Sequence, residues 1–182
     1  MSLELGVYSF GNTPRTPGGG YGPTAQAIRD VLEAVKLAED VGLDFFGFGE
    51  HHTRSMPLSS PTSLVTAAAA STQRITLGTT VTVLSTDEPL RVFQQLATAA
   101  AIAPGRIEAV AGRGSSAITF PIFDLNERDY DMLYASKLEL LLDGLRAEGA
   151  TAVPAAPSAP QVVAAMQHNG QRRFGCASRN KP

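Results

Sequence analysis

Two of the three histidines in this chain stand side by side in the run Gly49-Glu50-His51-His52-Thr53, with a carboxylate directly before them. An imidazole changes charge near neutral pH, so a histidine beside a carboxylate is equipped for general acid or base work. If the apolar run ahead of it is a strand, alternation sends His51 to one side and Glu50 and His52 to the other. The same residue types bind zinc, but no further His or Cys lies nearby to complete a ligand set, so no metal is expected. Taken alone, the pair also fits a solvated polar loop.

A second candidate is Ala111-Gly112-Arg113-Gly114-Ser115-Ser116. Gly112 and Gly114 let the backbone approach a ligand closely, and Arg113 can fork onto a phosphate or carboxylate. A turn with an exposed arginine is the plainer alternative. The glycine-rich run at residues 16–22 lacks the GK[ST] ending of a phosphate loop and does not open directly onto a helix. It reads as a mobile covering loop, with Tyr21 as a surface aromatic. In residues 84–91, Asp87 and Pro89 read as helix-start chemistry, and Arg91 as part of a solvated face. The threonine-rich stretch at residues 79–84 offers hydroxyls to a ligand, although threonine is common in strands anyway.

These candidates all follow apolar runs, and the runs alternate with amphipathic helices. The run at residues 3–10 precedes a helix over 24–40, with Ile28, Val31, Leu32, Val35 and Ala38 on one face and a stop at Gly42. The run at 43–49 precedes a helix opened by Ser60 and Pro61 that carries Leu64, Val65 and Ala68. The run at 75–84 precedes a helix carrying Phe93, Leu96, Ala97 and Ala100. The run at 106–111 leads through a long loop to a helix with Leu138, Leu141, Leu142 and Leu145, closed by Gly149. Strands alternating with helices imply a parallel sheet with right-handed crossovers. The chain's 182 residues suit an open doubly wound sheet better than a (β/α)₈ barrel, which takes about 250. In either fold, ligands sit at the carboxyl ends of the strands, where both candidate runs lie.

Composition bounds the rest. With 43% hydrophobic residues and a net charge of −2, the chain can bury a core and shows no basic excess for nucleic acid. A single cysteine, Cys176, excludes an internal disulfide. The N-terminal stretch lacks the basic start of a signal peptide, and no apolar stretch approaches membrane-spanning length, so a cytoplasmic protein is expected. All 17 acidic residues fall at or before Glu148, and the segment after it carries four basic residues and four prolines. That shift predicts a domain over residues 1–148 and a poorly ordered tail over 149–182, with a short helix possible at 161–167.

Taken in order, LGVYSF (5–10), GEHHT (49–53), ITLGTTVTVLSTDEPLRVFQQLAT (75–98) and GRIEAVAGRGSSAITFPIFD (105–124) resemble the bacterial-luciferase-like flavin monooxygenase family. The resemblance implies a (β/α)₈ barrel in place of the open sheet, here truncated to about four βα units. It implies reduced FMN, delivered by a separate flavin reductase and reacting with oxygen to give a flavin hydroperoxide that oxygenates a small organic substrate. Other members bind a deazaflavin and transfer hydride; the Glu-His-His run favours FMN. His51 matches the active-site histidine and Glu50 the carboxylate beside it. Arg113, between Gly112 and Gly114, matches the arginine that contacts the flavin phosphate, and the strand with Thr82 bears the flavin ring.

The resemblance stops near Glu148, where the family continues through four more units. The change resembles a reading-frame shift or a truncated product, so a non-catalytic half-barrel with weak or no flavin binding is the alternative. A half-barrel also leaves two strand edges and one apolar face open. Self-association is therefore expected, with two halves closing one eight-stranded barrel.

Overall fold

The computed structural model describes residues 3–114, 118–146, 161–164, 166–168 and 171–173. The βα units form where the apolar runs and helical faces fall. β1 (Gly6–Ser9) leads to α1 (Thr24–Asp40), and β2 (Phe45–Phe48) leads to α2 (Pro61–Ser71). β3 (Thr76–Thr79) and β4 (Thr82–Val83) lead to α3 (Pro89–Ile102). β5 (Ile107–Gly112) leads through the short α4 (Thr119–Ile122) to α5 (Tyr130–Arg146). α1 stops as expected, with Gly42 at φ +84°, a conformation that disfavours any side chain. Ser60 precedes α2, but its hydroxyl bonds the Ser63 hydroxyl, at 2.7 Å, and caps no backbone N–H of the helix. At α3 the capping carboxylate is that of Glu88, which accepts from the Arg91 N–H at 2.8 Å.

All pairings in the main sheet are parallel. β3 and β4 both pair one side of β5, and β6 (Gln161–Ala164) pairs its other side. The strand places therefore run β1, β2, β3/β4, β5, β6, following chain order without reversal. A doubly wound sheet reverses its order at a switch point, whereas a barrel does not. The open sheet favoured by length is thus replaced by the winding of part of a (β/α) barrel.

β6 also corrects the short helix expected at 161–167. Val162 and Val163 are β-branched, and the free edge of β5 offers them a ladder from Glu108 to Ala111. Four βα units thus become four units and a fifth strand. β7 (Met166–His168) and β8 (Gln171–Arg173) pair as an antiparallel hairpin. The rest of the expected tail, with Gly149 and Cys176, lies outside the described residues.

Strand alternation divides the sheet into two unlike faces. Phe46, Phe48, Leu77, Ile107, Ala109 and Ala111 turn toward the helices and share one core with Val35, Val65, Leu96 and Leu141. Phe48, Leu77, Val35 and Val65 are all 0% exposed, and each such side chain contributes about 1.5–3 kcal/mol of burial. The opposite, inner face carries Phe45, Gly47, Gly78, Glu108, Val110 and Gly112. The Phe45 ring lies over Gly47 and Gly78, where a Cβ would come within 3.0 and 2.9 Å of it.

Candidate functional site

The carboxyl ends of β2, β4 and β5 share one rim because the strands are parallel. The histidine run leaves β2 there, and Arg113 leaves β5, so the two candidate motifs occupy the same end of the sheet. The Gly49 N–H donates to Ser9 O at 2.9 Å and the His51 N–H to Leu58 O at 2.8 Å, which fixes the backbone of the run. The His51 ring stands edge-on to Phe10, with centroids 4.9 Å apart, and Phe10 stands edge-on to Tyr8 at 5.7 Å. Glu50 and His52 turn the other way together: His52 Nε2 lies 3.0 Å from Glu50 Oε1. The second Glu50 oxygen accepts from the Val83 N–H at 2.8 Å. Glu50 is 8% exposed, and both of its oxygens are engaged by the protein. His52 also packs edge-on against Phe123, 5.1 Å between centroids.

Between β3 and β4 the register slips. Gly78 faces Glu108 and Thr82 faces Ala111, so three residues of one strand oppose two of the other. This is a β-bulge, a device common at barrel rims beside functional sites. The Thr79 hydroxyl spans the gap, donating to Val110 O at 3.2 Å and accepting from the Val110 N–H at 3.1 Å. The peptide between Thr80 and Val81 is cis. Thr80 and Val81 both meet inner-face glycines: a Cβ on Gly47 would strike Thr80, and one on Gly112 would strike Val81. The Thr80 hydroxyl is buried without a hydrogen-bond partner.

The bulge moves one predicted site residue. Val81 and Val83 stand on the inner side, so alternation turns Thr82 toward the helices, on the same face as the core residue Leu84. Thr82 is 2% exposed and its hydroxyl is unpartnered. The inner face beside the bulge therefore carries Thr80 and Val81, and not Thr82.

On β5, Gly112 lies under Val81, and Gly114 takes φ +79°, which only glycine adopts at low cost. Between them Arg113 donates to Asp131 Oδ1 at 2.6 Å, and its guanidinium lies 4.8 Å from the centre of the Tyr130 ring. The Asp131 side chain is 65% exposed, against 26% for Arg113. Along α5, the Tyr134 hydroxyl donates to Ala111 O at 3.2 Å and Lys137 Nζ donates to Ser85 O at 2.9 Å. Burial holds the Lys137 ammonium below the ordinary lysine value, with Asp87 and Glu88 opposing. Burial raises the Asp87 carboxyl, and the charge of Glu50 adds to the rise. The glycine-rich loop after β1 is a small hairpin in which Arg15 bridges Tyr21, its guanidinium 5.0 Å from the ring centre.

Sequence reasoning named the threonine-rich stretch 79–84 but missed the bulge that sets Thr79, Thr80 and Val81 apart, and it missed Asp131. The first three carried a signal: their apolar run is ten residues long, beyond what one short strand needs. Asp131 carried none, because its partner lies 18 positions away. Among the described residues, no three His, Cys, Asp or Glu side chains gather as a metal-binding group, and no helix is long and apolar enough to cross a membrane.

Residues 7–170 match the sequence model of a family described as luciferase-like monooxygenase. An uncharacterized protein, y4vJ, of Sinorhizobium fredii is 32% identical over 124 residues, covering 68% of this chain and 35% of that one. The F420-dependent glucose-6-phosphate dehydrogenase of Beutenbergia cavernae is 37% identical over 113 residues, covering 57% of this chain and 33% of the relative. The chain thus spans about a third of the length of these curated relatives. Among solved structures, the oxygenating constituent of 3,6-diketocamphane monooxygenase from Pseudomonas putida, in complex with FMN, superposes with a TM-score of 0.69 at 17% identity. The match covers 78% of this chain and 39% of that one. That likeness establishes the shared barrel fold.

Proposed function

The chain belongs to the luciferase-like monooxygenase family, and from that premise we propose that it serves a flavin-dependent oxidoreductase using reduced FMN and dioxygen to oxygenate a small organic substrate. The observation that carries this reading is the shared rim: the Arg113 guanidinium and the His51 imidazole leave their strands at the same end of the sheet, beside the inner face that carries Thr80 and Val81. The residues fit the cofactor. Gly47, Gly78 and Gly112 make room on the inner face for Phe45, Thr80 and Val81, and the buried Thr80 hydroxyl there lacks a partner. Thr80 and Val81 would lie against the ring and Arg113 would hold the phosphate, taking it in place of the exposed Asp131 carboxylate. Gly112 and Gly114 give the phosphate close access to backbone. Bound reduced flavin supplies the electrons with which dioxygen is divided between substrate and water. His51, packed edge-on against Phe10 and away from the Glu50 pair, would hold or move a proton beside the ring.

A deazaflavin is the competing cofactor, supported by the F420-dependent relative. A separate reductase would deliver reduced FMN, and a cytoplasmic location accords with that supply. We further propose that a second copy of the chain covers the open edge, where Leu3, Leu5, Val7 and Tyr8 are 81, 55, 44 and 57% exposed. A monomer by sedimentation would contradict this. The alternative of a half-barrel that binds flavin weakly or not at all draws on the Arg113–Asp131 pair, since that guanidinium already has a carboxylate. Titration of the chain with FMN, reduced FMN and F420, followed by flavin fluorescence, separates the readings. Saturable quenching, tightest for reduced FMN, is expected; no quenching in protein of known oligomeric state would favour the non-catalytic reading.

A further inference from the structure

Glu50 matches a carboxylate beside an active-site histidine, yet the structure gives it a different task. One oxygen accepts the Val83 N–H at 2.8 Å and the other meets His52 at 3.0 Å, in a side chain 8% exposed. No part of it faces the inner side, where His51 and Phe10 lie. Val83 is the first ladder position beyond the bulge on the β2 side, and its N–H is left unmatched because β2 ends at Phe48. On the β5 side of the same bulge, the Thr79 hydroxyl supplies Val110 with both a donor and an acceptor. The extra residue is thus gripped from opposite edges of one strand, and Thr80 and Val81 lie between the grips.

We propose that Glu50 and Thr79 are positioning residues: together they clamp the β3–β4 bulge so that Thr80 and Val81 project onto the inner face. The proposal deepens the cofactor reading above and rests on it only for what the platform carries. A buried amide whose acceptor is removed must find water or a new partner, so the bulge loses its single geometry when either clamp goes. Gln at position 50 can still accept the Val83 N–H and, through its amide, donate to His52. Ser at position 79 keeps the bridging hydroxyl.

Amide hydrogen exchange on the ligand-free chain reads the clamps directly. Thr79→Val should speed exchange at Val110, and Glu50→Ala at Val83, each by about tenfold, the worth of one lost hydrogen bond. Thr79→Ser and Glu50→Gln should restore both rates to near wild type. Should Glu50→Ala not fold, Thr79→Val decides alone, because it preserves side-chain shape. In parallel, Thr79→Val should weaken FMN binding about tenfold and Thr79→Ser should rescue it. Unchanged exchange at Val110 and Val83 would overturn the clamp while leaving flavin binding intact. Faster exchange in the variants, together with a wild-type chain that never quenches FMN, would uphold the clamp and overturn the cofactor.

Discussion

Glu39 and Arg106 at one end of this sheet, and Arg113 at the other, are charged residues with unlike partners. At the amino end, Glu39 accepts from the backbone N–H groups of Gln73, Arg74 and Ile75, at 2.9, 2.6 and 3.0 Å. Arg106 donates there to the carbonyls of Ile75, Thr72 and Ala69 and to the Thr72 hydroxyl. Both side chains are saturated by backbone from other elements, which ties the end of α1 and the end of α2 to the strands that follow. At the carboxyl end, Arg113 meets a carboxylate that is 65% exposed, and the His51 ring stands edge-on to Phe10. Charges locked to backbone hold the fold. Charges paired with an exposed side chain can exchange it for a ligand. This division accords with the general rule that the amino end of a barrel serves stability and the carboxyl end serves chemistry.

Substitutions at the two ends should separate in what they damage. The largest effect is expected from His51→Ala: turnover should fall by about 10²–10⁴-fold, the usual share of a general acid or base, with flavin affinity little changed. Parallel loss of affinity and turnover would make His51 structural. Next, Arg106→Ala should lower stability by about 2–4 kcal/mol, because three carbonyls and a hydroxyl lose their donor. Chemical denaturation measures this, and a loss under ~1 kcal/mol would break the comparison.

The third effect is one of pH. Burial by itself would raise the Glu39 carboxyl, but the three backbone amides and the Arg74 charge hold it below the ordinary glutamate value. The unfolded chain therefore binds this proton more readily than the folded one. The stabilisation is complete above the unfolded value and is lost as pH falls through the lowered folded value. Glu39→Gln should accordingly flatten the acid limb of melting temperature against pH, and an unchanged limb would contradict the clamp on Glu39. The smallest effect is expected at Thr82. Its hydroxyl is buried without a partner on the helix-facing side, so Thr82→Val should leave flavin affinity alone and change stability by no more than about 1 kcal/mol, in the stabilising direction.

Thr82 also shows where the sequence stops being legible. Counting alternately from Gly78 places Thr80 and Thr82 on the inner face. One inserted residue breaks that count, and every position beyond it changes sides. Nothing in Thr79-Thr80-Val81-Thr82 distinguishes a bulged strand from a regular one except its length. The helices were easier, because a repeating apolar face such as Val31, Val35 and Ala38 carries the same signal several times. The rim residues Glu50, His51 and Arg113 were legible because each follows an apolar run that ends abruptly. Their partners were not, since Asp131 and Val83 meet them only through the fold. The strand at Gln161–Ala164 was hidden for a related reason: two valines do not mark a strand until the edge of β5 pairs with them.

The division between the two ends is tested most directly by measuring FMN affinity and unfolding free energy together in Arg113→Ala and Arg106→Ala. Arg113→Ala should weaken FMN by about 1–3 kcal/mol, the worth of a charge-assisted phosphate contact, with stability within ~1 kcal/mol of wild type. Arg106→Ala should do the reverse, losing stability while its folded fraction binds FMN as wild type does. If Arg113→Ala leaves FMN binding untouched, or if both variants lose affinity and stability in equal measure, the carboxyl rim is not a ligand site set apart from the structural end.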